Sequence, residues 1–255
     1  MKNRAPYKIT RIIQVYNISQ VIINILLASF GLFTVLHYNW LCQPLDYTMD
    51  PREMRVVLVG WCYCATKLYD LLDTVFFVLR KKFQQVSPLH LYHHVVMGGP
   101  FIFATNFYAT GHAVFPFGLN IIVHIFMYFY YYLASLGPRY QKYLWWKRHL
   151  TELQIIQFIT AFIHTVVAWY FACGVPLFII LYFMAQSLFF AYLFGNFYIN
   201  AYLRGKPVKG GDLMDPDFQE EQSSTNGKVS NGVAKKLSVS SIQDTDSLQG
   251  SKKLD

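Results

Sequence analysis

Charge is what this chain of 255 residues is short of: Asp, Glu, Lys and Arg make up 14% of it, against ~25% in a typical soluble domain. That shortage argues against an ordinary cytosolic enzyme. Cysteine is scarce too, and four in this length make no disulfide framework. No G-X-Y period marks a collagen, and 19 Tyr, 22 Phe and 5 Trp are too many for a disordered or fibrous chain. The sparse charges also leave long gaps, with no Asp, Glu, Lys or Arg in residues 12–36, 83–138 or 153–203.

A helix needs ~20 apolar residues to cross the hydrocarbon of a bilayer. The gaps therefore hold one, two and two crossings, and residues 54–79 supply another. The predicted architecture is an all-α, polytopic membrane protein of about six transmembrane helices, over 12–36, 54–79, 90–108, 113–136, 152–173 and 176–200. Gly111 breaks the chain between the third and fourth, and Cys173, Gly174, Val175 and Pro176 break it between the fifth and sixth. Pro100 and Pro116 fall inside spans, where neighbouring helices can satisfy the freed backbone groups.

Most of the 22 Lys and Arg fall at alternate ends of these spans. Lys2, Arg4, Lys8 and Arg11 precede the first, Arg80, Lys81 and Lys82 follow the second, and Arg139, Lys142, Lys147 and Arg148 separate the fourth and fifth. Only Arg52 and Arg55 face the other way. The positive-inside rule then puts both termini in the cytosol. The net charge of +8 is read as topology and attraction to anionic lipid, not as nucleic-acid binding. The uncharged run of the first helix is too long for a signal-peptide h-region, so that helix is expected to stay. Residues 1–203 form the membrane domain. Residues 204–255, rich in Ser, Gly, Asp and Lys, are expected to be a disordered cytosolic tail, ending in Lys252 and Lys253, which resemble the dilysine signal that returns membrane proteins to the endoplasmic reticulum.

Ionisable groups inside a bilayer cost ~2.5–3.5 kcal/mol each on insertion scales, so they point to a functional interior. Lys67, Asp70, Asp73 and Thr74 form one polar face of the second span, since residues three and four apart are helix neighbours. An ion pair that neutralises itself and locks packing is the other reading of this face. His90, His93 and His94 share a face at the entrance of the third span, and three imidazoles that close can bind a metal, pass protons or attack a carbonyl. In the fourth span Asn120, His124, Met127, Tyr128 and Tyr131 form a stripe suited to donating hydrogen bonds to a substrate carbonyl, with Tyr130 and Tyr132 read as packing. Thr151, Gln154 and Gln157 give the fifth span a polar edge, for which interhelical hydrogen bonds are an equally good explanation.

Together these segments resemble the ELO family of very-long-chain fatty acid elongases. The family's K-x-x-E-x-x-D-T pattern is similar to Lys67, Asp70, Asp73 and Thr74, with Asp70 where the family usually has Glu. Its HxxHH box is His90, His93 and His94. N-x-x-x-H-x-x-M-Y-x-Y-Y corresponds to Asn120, His124, Met127, Tyr128, Tyr130 and Tyr131, and T-x-x-Q-x-x-Q-F to Thr151, Gln154, Gln157 and Phe158. Family members typically have seven crossings, and this chain is expected to start in the loop after the first.

The resemblance implies an acyltransferase of the endoplasmic reticulum membrane that condenses a long-chain acyl-CoA with malonyl-CoA. The product is a 3-ketoacyl-CoA two carbons longer, with CO2 and CoA released. It implies no metal or other cofactor, and a substrate tunnel enclosed by the helices. The ketoacyl reductase, dehydratase and enoyl reductase of an elongation cycle are the implied partners, with homo-oligomers an option. His93 is expected to take the acyl group, because no cysteine is well placed for it. His124 and Asn120 are expected to stabilise an enolate. His90 and His94 would shuttle protons or orient His93, Asp70 and Asp73 would hold a histidine tautomer, and Lys67 would balance their charge. Thr74, Met127, Tyr128, Tyr131, Gln154 and Gln157 are expected to line the substrate site, with Arg80, Lys81, Lys82 and Arg148 receiving CoA. Two rivals remain at this point. A di-iron desaturase or hydroxylase also uses HxxHH boxes, although it needs several, and a transporter would also account for an intramembrane Lys and two Asp.

Overall fold

The structure, a computed structural model, describes residues 5–108 and 110–204, apart from the side chains at 100, 101, 103 and 104. The Lys252–Lys253 pair and the tail expected from Arg204 onward, except Arg204 itself, lie outside the described residues. Among the described residues all regular structure is helical, in the order α1 (Thr10–Thr34), α2 (Pro51–Asp70), α3 (Leu72–Leu79), α4 (Pro88–Tyr108), α5 (Val114–Ser135), α6 (Lys147–Tyr170) and α7 (Leu177–Tyr198).

Local chemistry sets the helix starts. Asp50 caps α2 by accepting the Arg52 N–H at 2.7 Å, with Pro51 in the first turn. Ser87 does the same for α4, its hydroxyl 3.1 Å from the His90 N–H and Pro88 following. The turn before α5 depends on Gly111, at φ +72, where a Cβ would come within 2.7 Å of the Pro44 carbonyl oxygen. Gly174, at φ +71, and Pro176 turn the chain into α7.

These elements match the expected spans closely, with two differences. The second span is two helices, because the turn at Leu71 tightens to an i→i−3 hydrogen bond onto Leu68. The fifth begins at Lys147, five residues before the expected start at 152, because the charged first turn is helical outside the uncharged run. Among the described residues, four segments are long and apolar enough to cross a membrane: Thr10–Thr34, Gly111–Ser135, Lys147–Tyr170 and Leu177–Leu203. The polar side chains of α2 and α4 are what lower their hydropathy.

The chain is a polytopic membrane protein, and its burial pattern fits one. Outward residues such as Val15, Leu26, Ile156, Ile163, Leu181 and Leu188 are apolar, while Gln20, Asn24, Lys67, Asp70 and Thr151 are buried inside. α1 packs on α5 and α2, α2 on α4, α5 on α6, and α6 on α7.

Hydrogen bonds fix which ends meet. At one end Tyr7 N–H reaches the Leu79 carbonyl, Gln14 the Ser135 carbonyl and Arg148 the Tyr198 hydroxyl. This end carries Arg80, Lys81, Lys82, Arg139 and Lys142 and is called the basic end. At the other, His164 Nε2 donates to the Trp40 carbonyl, the Thr110 hydroxyl donates to the Asp46 carbonyl, and Cys42 is bonded to Cys173. The four cysteines thus give one bridge and no framework among the described residues: 131 residues separate the pair, yet antiparallel helices return both loops to one end.

Candidate active site

The polar face of α2 points into the bundle. Lys67 is 3% exposed and Asp70 2%. Lys67 Nζ donates to Asp70 Oδ2 at 3.0 Å and lies 3.1 Å from His124 Nδ1 on α5. It also lies 3.4 Å from Nε2, so the ammonium sits beside both nitrogens of that ring. Asp70 Oδ2 is 3.6 Å from the same Nδ1.

The other oxygen of Asp70 is held by groups on two further helices. Gln20 of α1 donates to Oδ1 at 2.6 Å, and the Tyr128 hydroxyl of α5 does so at 2.9 Å. Tyr128 also lies 3.0 Å from Asp73 Oδ2, and Tyr16 joins Tyr128 and Gln20 at 3.4 and 3.2 Å. One level toward the disulfide end, the Tyr63 hydroxyl donates to Asn120 Oδ1 at 2.7 Å while the Lys67 ammonium sits 4.9 Å above the Tyr63 ring. With Oδ1 occupied, the NH2 group of Asn120 is the end left to donate.

The histidine box faces this network. His90 Nε2 lies 2.8 Å from the Thr74 hydroxyl, and its ring contacts that of His94 at 4.1 Å. His93 contacts His94 at 5.5 Å and Phe190 at 5.5 Å, and it lies nearly parallel to His124 with 6.3 Å between ring centroids. Among the described residues the His93 ring has no hydrogen-bond partner.

One cavity of about 80 Å³ joins these groups. It is lined by Asp70, Asp73, His90, His93, His94, Asn120, His124, Met127, Tyr128, Tyr131, Gln154 and Gln157, among others. Of the other expected residues, Lys67 and Thr74 lie one hydrogen bond behind that wall. Gln154 is 3.8 Å from Met127 Sδ. Tyr130 packs with Leu144 and Leu150, as its packing assignment requires. Arg80, Lys81, Lys82 and Arg148 do not line the cavity. Arg148 is instead held by Glu152 at 3.0 Å and Tyr198 at 2.7 Å on the rim.

Asp73 departs from its expected role of holding a histidine tautomer: it faces tyrosine hydroxyls, that of Tyr128 at 3.0 Å. His124 is the histidine beside this face, with Lys67 at 3.1 Å and Asp70 at 3.6 Å from its Nδ1. Gln20, Tyr16 and Tyr63 were missed. A signal for two of them exists in α1, where Tyr16, Gln20 and Asn24 stand at i, i+4 and i+8 on one face of the helix.

Far from this cavity, His112 and His164 stack at 3.7 Å. Their Nε2 atoms donate to the carbonyls of His164 and Trp40, and neither Nδ1 has a partner among the described residues. Nearby, Glu53 is buried and accepts from Tyr38 and His37. Burial, with Glu53 as acceptor, raises the Tyr38 phenol above its ordinary pKa. Among the described residues no three His, Cys, Asp or Glu side chains are grouped to hold a metal ion.

The sequence matches the model of the ELO: GNS1/SUR4 family over residues 1–210. It is 38% identical over 238 residues to human very long chain fatty acid elongase 4, covering 92% of this chain and 72% of that protein. It is also 38% identical over 214 residues to rat very long chain fatty acid elongase 7, covering 81% of this chain and 75% of that protein. The Drosophila melanogaster elongase 7 aligns at 38% over 208 residues, 80% of this chain and 63% of the relative. A family match across four-fifths of the sequence, with all four motifs turned toward one cavity, establishes that the chain belongs to the ELO (GNS1/SUR4) family.

Proposed function

We propose that this protein is a fatty acid elongase of the endoplasmic reticulum membrane that catalyses the condensing step, joining a long-chain acyl-CoA to malonyl-CoA. Elongation in general is supported by the family and by the names of its relatives. The observation that carries the condensing step is the facing pair of imidazoles, His93 open to the cavity and His124 fixed by Lys67.

With 6.3 Å between ring centroids, both imidazoles border the same space, where one can attack a carbonyl carbon and the other can face its oxygen. His93 attacks the thioester carbon. The C–S bond breaks, CoA leaves as a thiol after taking a proton, and the acyl group stays on the imidazole. Malonyl-CoA then enters and loses CO2. The electron pair of the broken C–C bond becomes an enolate, whose oxygen faces the His124 imidazole and the Asn120 amide. The enolate carbon attacks the acyl-imidazole and His93 is released. His90 and His94 pass or hold the proton, and Asp70 keeps Lys67 aimed at His124. None of these steps calls on a metal or other cofactor.

CoA, a polyanion, docks at the basic end, where Arg80, Lys81 and Lys82 lie and where Arg148 has its guanidinium NH2 groups beyond the bond to Glu152. In this reading the basic end is cytosolic and both termini lie there, while the Cys42–Cys173 bridge faces the oxidising lumen. The 3-ketoacyl-CoA passes to a ketoacyl reductase, a dehydratase and an enoyl reductase.

Purified protein incubated with acyl-CoA alone is expected to release CoA and to gain one acyl mass on the peptide containing His93. CoA release that requires malonyl-CoA would rule out the two-stage order in favour of a ternary complex. Microsomes supplied with labelled malonyl-CoA and a panel of saturated and polyunsaturated acyl-CoAs are expected to yield elongated products that a His93→Ala variant does not make. No labelled product from any primer would overturn the elongase reading itself.

A further inference from the structure

Of the two carboxyls in the wall of the site cavity, Asp70 has a counter-ion and Asp73 has none among the described residues. Lys67 is taken by Asp70 at 3.0 Å. Of the site histidines only His124 comes within 4 Å of either carboxyl among the described residues, and it meets Asp70. Two carboxylates beside one ammonium would leave a negative charge uncompensated inside the bundle, which is costly.

The hydrogens point the same way. The Tyr128 hydroxyl lies 2.9 Å from Asp70 Oδ1 and 3.0 Å from Asp73 Oδ2, and it has one hydrogen to give. With that hydrogen on the Asp70 carboxylate, a proton on Asp73 completes the second contact, and the same proton balances the charge of the cluster.

Asp73 also stands where a leaving group passes. From the disulfide end toward the basic end, the levels of the site run Tyr63 with Asn120, Lys67 with His124, Asp70 with Tyr128, and then Asp73. An acyl chain held at His93 and directed toward the disulfide end puts the thioester sulfur on the basic side of its carbonyl carbon. That is the side of Asp73.

We propose that Asp73 is the acid that protonates the CoA sulfur as the thioester opens. This deepens the elongase reading above and rests on it. An N–C bond forms between His93 and the acyl carbon, the C–S bond breaks with its electron pair going to sulfur, and the Asp73 proton moves to that sulfur. A carboxylic acid is a far stronger acid than a thiol, so the transfer runs downhill. CoA departs as a thiol, His93 keeps its own ring proton as an acyl-imidazolium, and the Asp73 carboxylate left behind balances that cation. When the malonyl-derived enolate takes the acyl group, His93 returns neutral, and Asp73 regains a proton from water at the basic end. Each condensation thus consumes one proton, as the loss of the malonyl carboxylate as CO2 requires.

The test mixes purified full-length protein with acyl-CoA alone in a single turnover and follows free CoA. Asp73→Asn keeps a donor for the Tyr128 oxygen and adds no charge, but it has no proton to release. CoA release is expected to slow by about a hundredfold or more with the thermal midpoint unchanged, while Asp73→Glu keeps the acid and most of the rate. A role confined to holding Tyr128 would leave the Asp73→Asn variant at the full rate, and that result would overturn the assignment with the elongase reading intact. If Asp73→Asn does not accumulate, the unaltered protein carries the test: its infrared difference spectrum on adding acyl-CoA is expected to lose a carboxylic acid C=O band. CoA released with no such band lost would overturn the proposal alone. No CoA release without malonyl-CoA would remove the step that Asp73 serves, and no elongated product from any primer would overturn the elongase reading as well.

Discussion

The two ends of this bundle each bury histidines, and they bury them differently. Near the basic end, His124 meets an ammonium and His90 meets a threonine hydroxyl, each supplied by another helix, and their rings border a cavity. Near the disulfide end, His112 and His164 stack face to face, each gives one nitrogen to a main-chain carbonyl, and the space beside them is only about 10 Å³. The first arrangement sets imidazoles against polar side chains at the edge of an open space. The second uses imidazole as a flat, polar-edged packing unit that ties a loop to a helix. Burial alone does not separate the two uses, since His124 is 5% exposed and His112 7%. The identity of the partners does.

The largest expected effect is at the ion pair that holds His124. Lys67→Ala or Asp70→Ala leaves one charge buried without its counterpart, a loss of about 3–5 kcal/mol, read as a fall in the thermal midpoint in detergent together with loss of turnover. A Lys67→Leu, Asp70→Leu double variant is expected to recover stability without recovering turnover, whereas Asp70→Glu keeps both. Recovered turnover in the double variant would reduce the pair to packing and erase the distinction between the ends.

Removing the bridge, as Cys42→Ser with Cys173→Ser, releases a loop of 131 residues and is expected to cost about 2–5 kcal/mol. Turnover below the new midpoint should be retained. Tyr128→Phe comes next, because it takes one hydroxyl away from both Asp70 and Asp73. A cost of about 1–3 kcal/mol and a rate reduced roughly tenfold are expected from single-turnover measurements. The smallest effect belongs to His164→Phe. A ring of similar shape keeps the stack and loses only the bond to the Trp40 carbonyl, so stability should fall by about 1 kcal/mol and turnover should be unchanged, while His124→Phe is inactive. Lost turnover with normal stability in His164→Phe would bring the far stack into the chemistry.

Much of this was legible from residue order. The uncharged runs located five of the six spans to within a few residues, because hydrocarbon thickness imposes a length that composition reveals. The α2 face, the histidine box and the α5 stripe were legible because side chains three and four apart share a helix face wherever the helix goes. What joins them was not. That Lys67 holds His124, or that Gln20 holds Asp70, depends on the rotation of one helix against another, which 3.6 periodicity leaves open. The tightened turn at Leu71 carries no glycine or proline to announce it. The Cys42–Cys173 pairing was hidden for the same reason: proximity of two loops is a property of the assembled bundle.

The cysteines bear on how inhibition by thiol reagents should be interpreted. Cys42 and Cys173 are consumed in their bond, Cys64 is buried against the Thr105 hydroxyl at 3.0 Å, and Cys62 is exposed. None borders the space where His93 and His124 face each other. Activity lost on adding dithiothreitol would thus report loosened loops at the remote face, and activity lost to a maleimide would report damage at the Cys62 surface. Neither result would point to an acyl-cysteine intermediate.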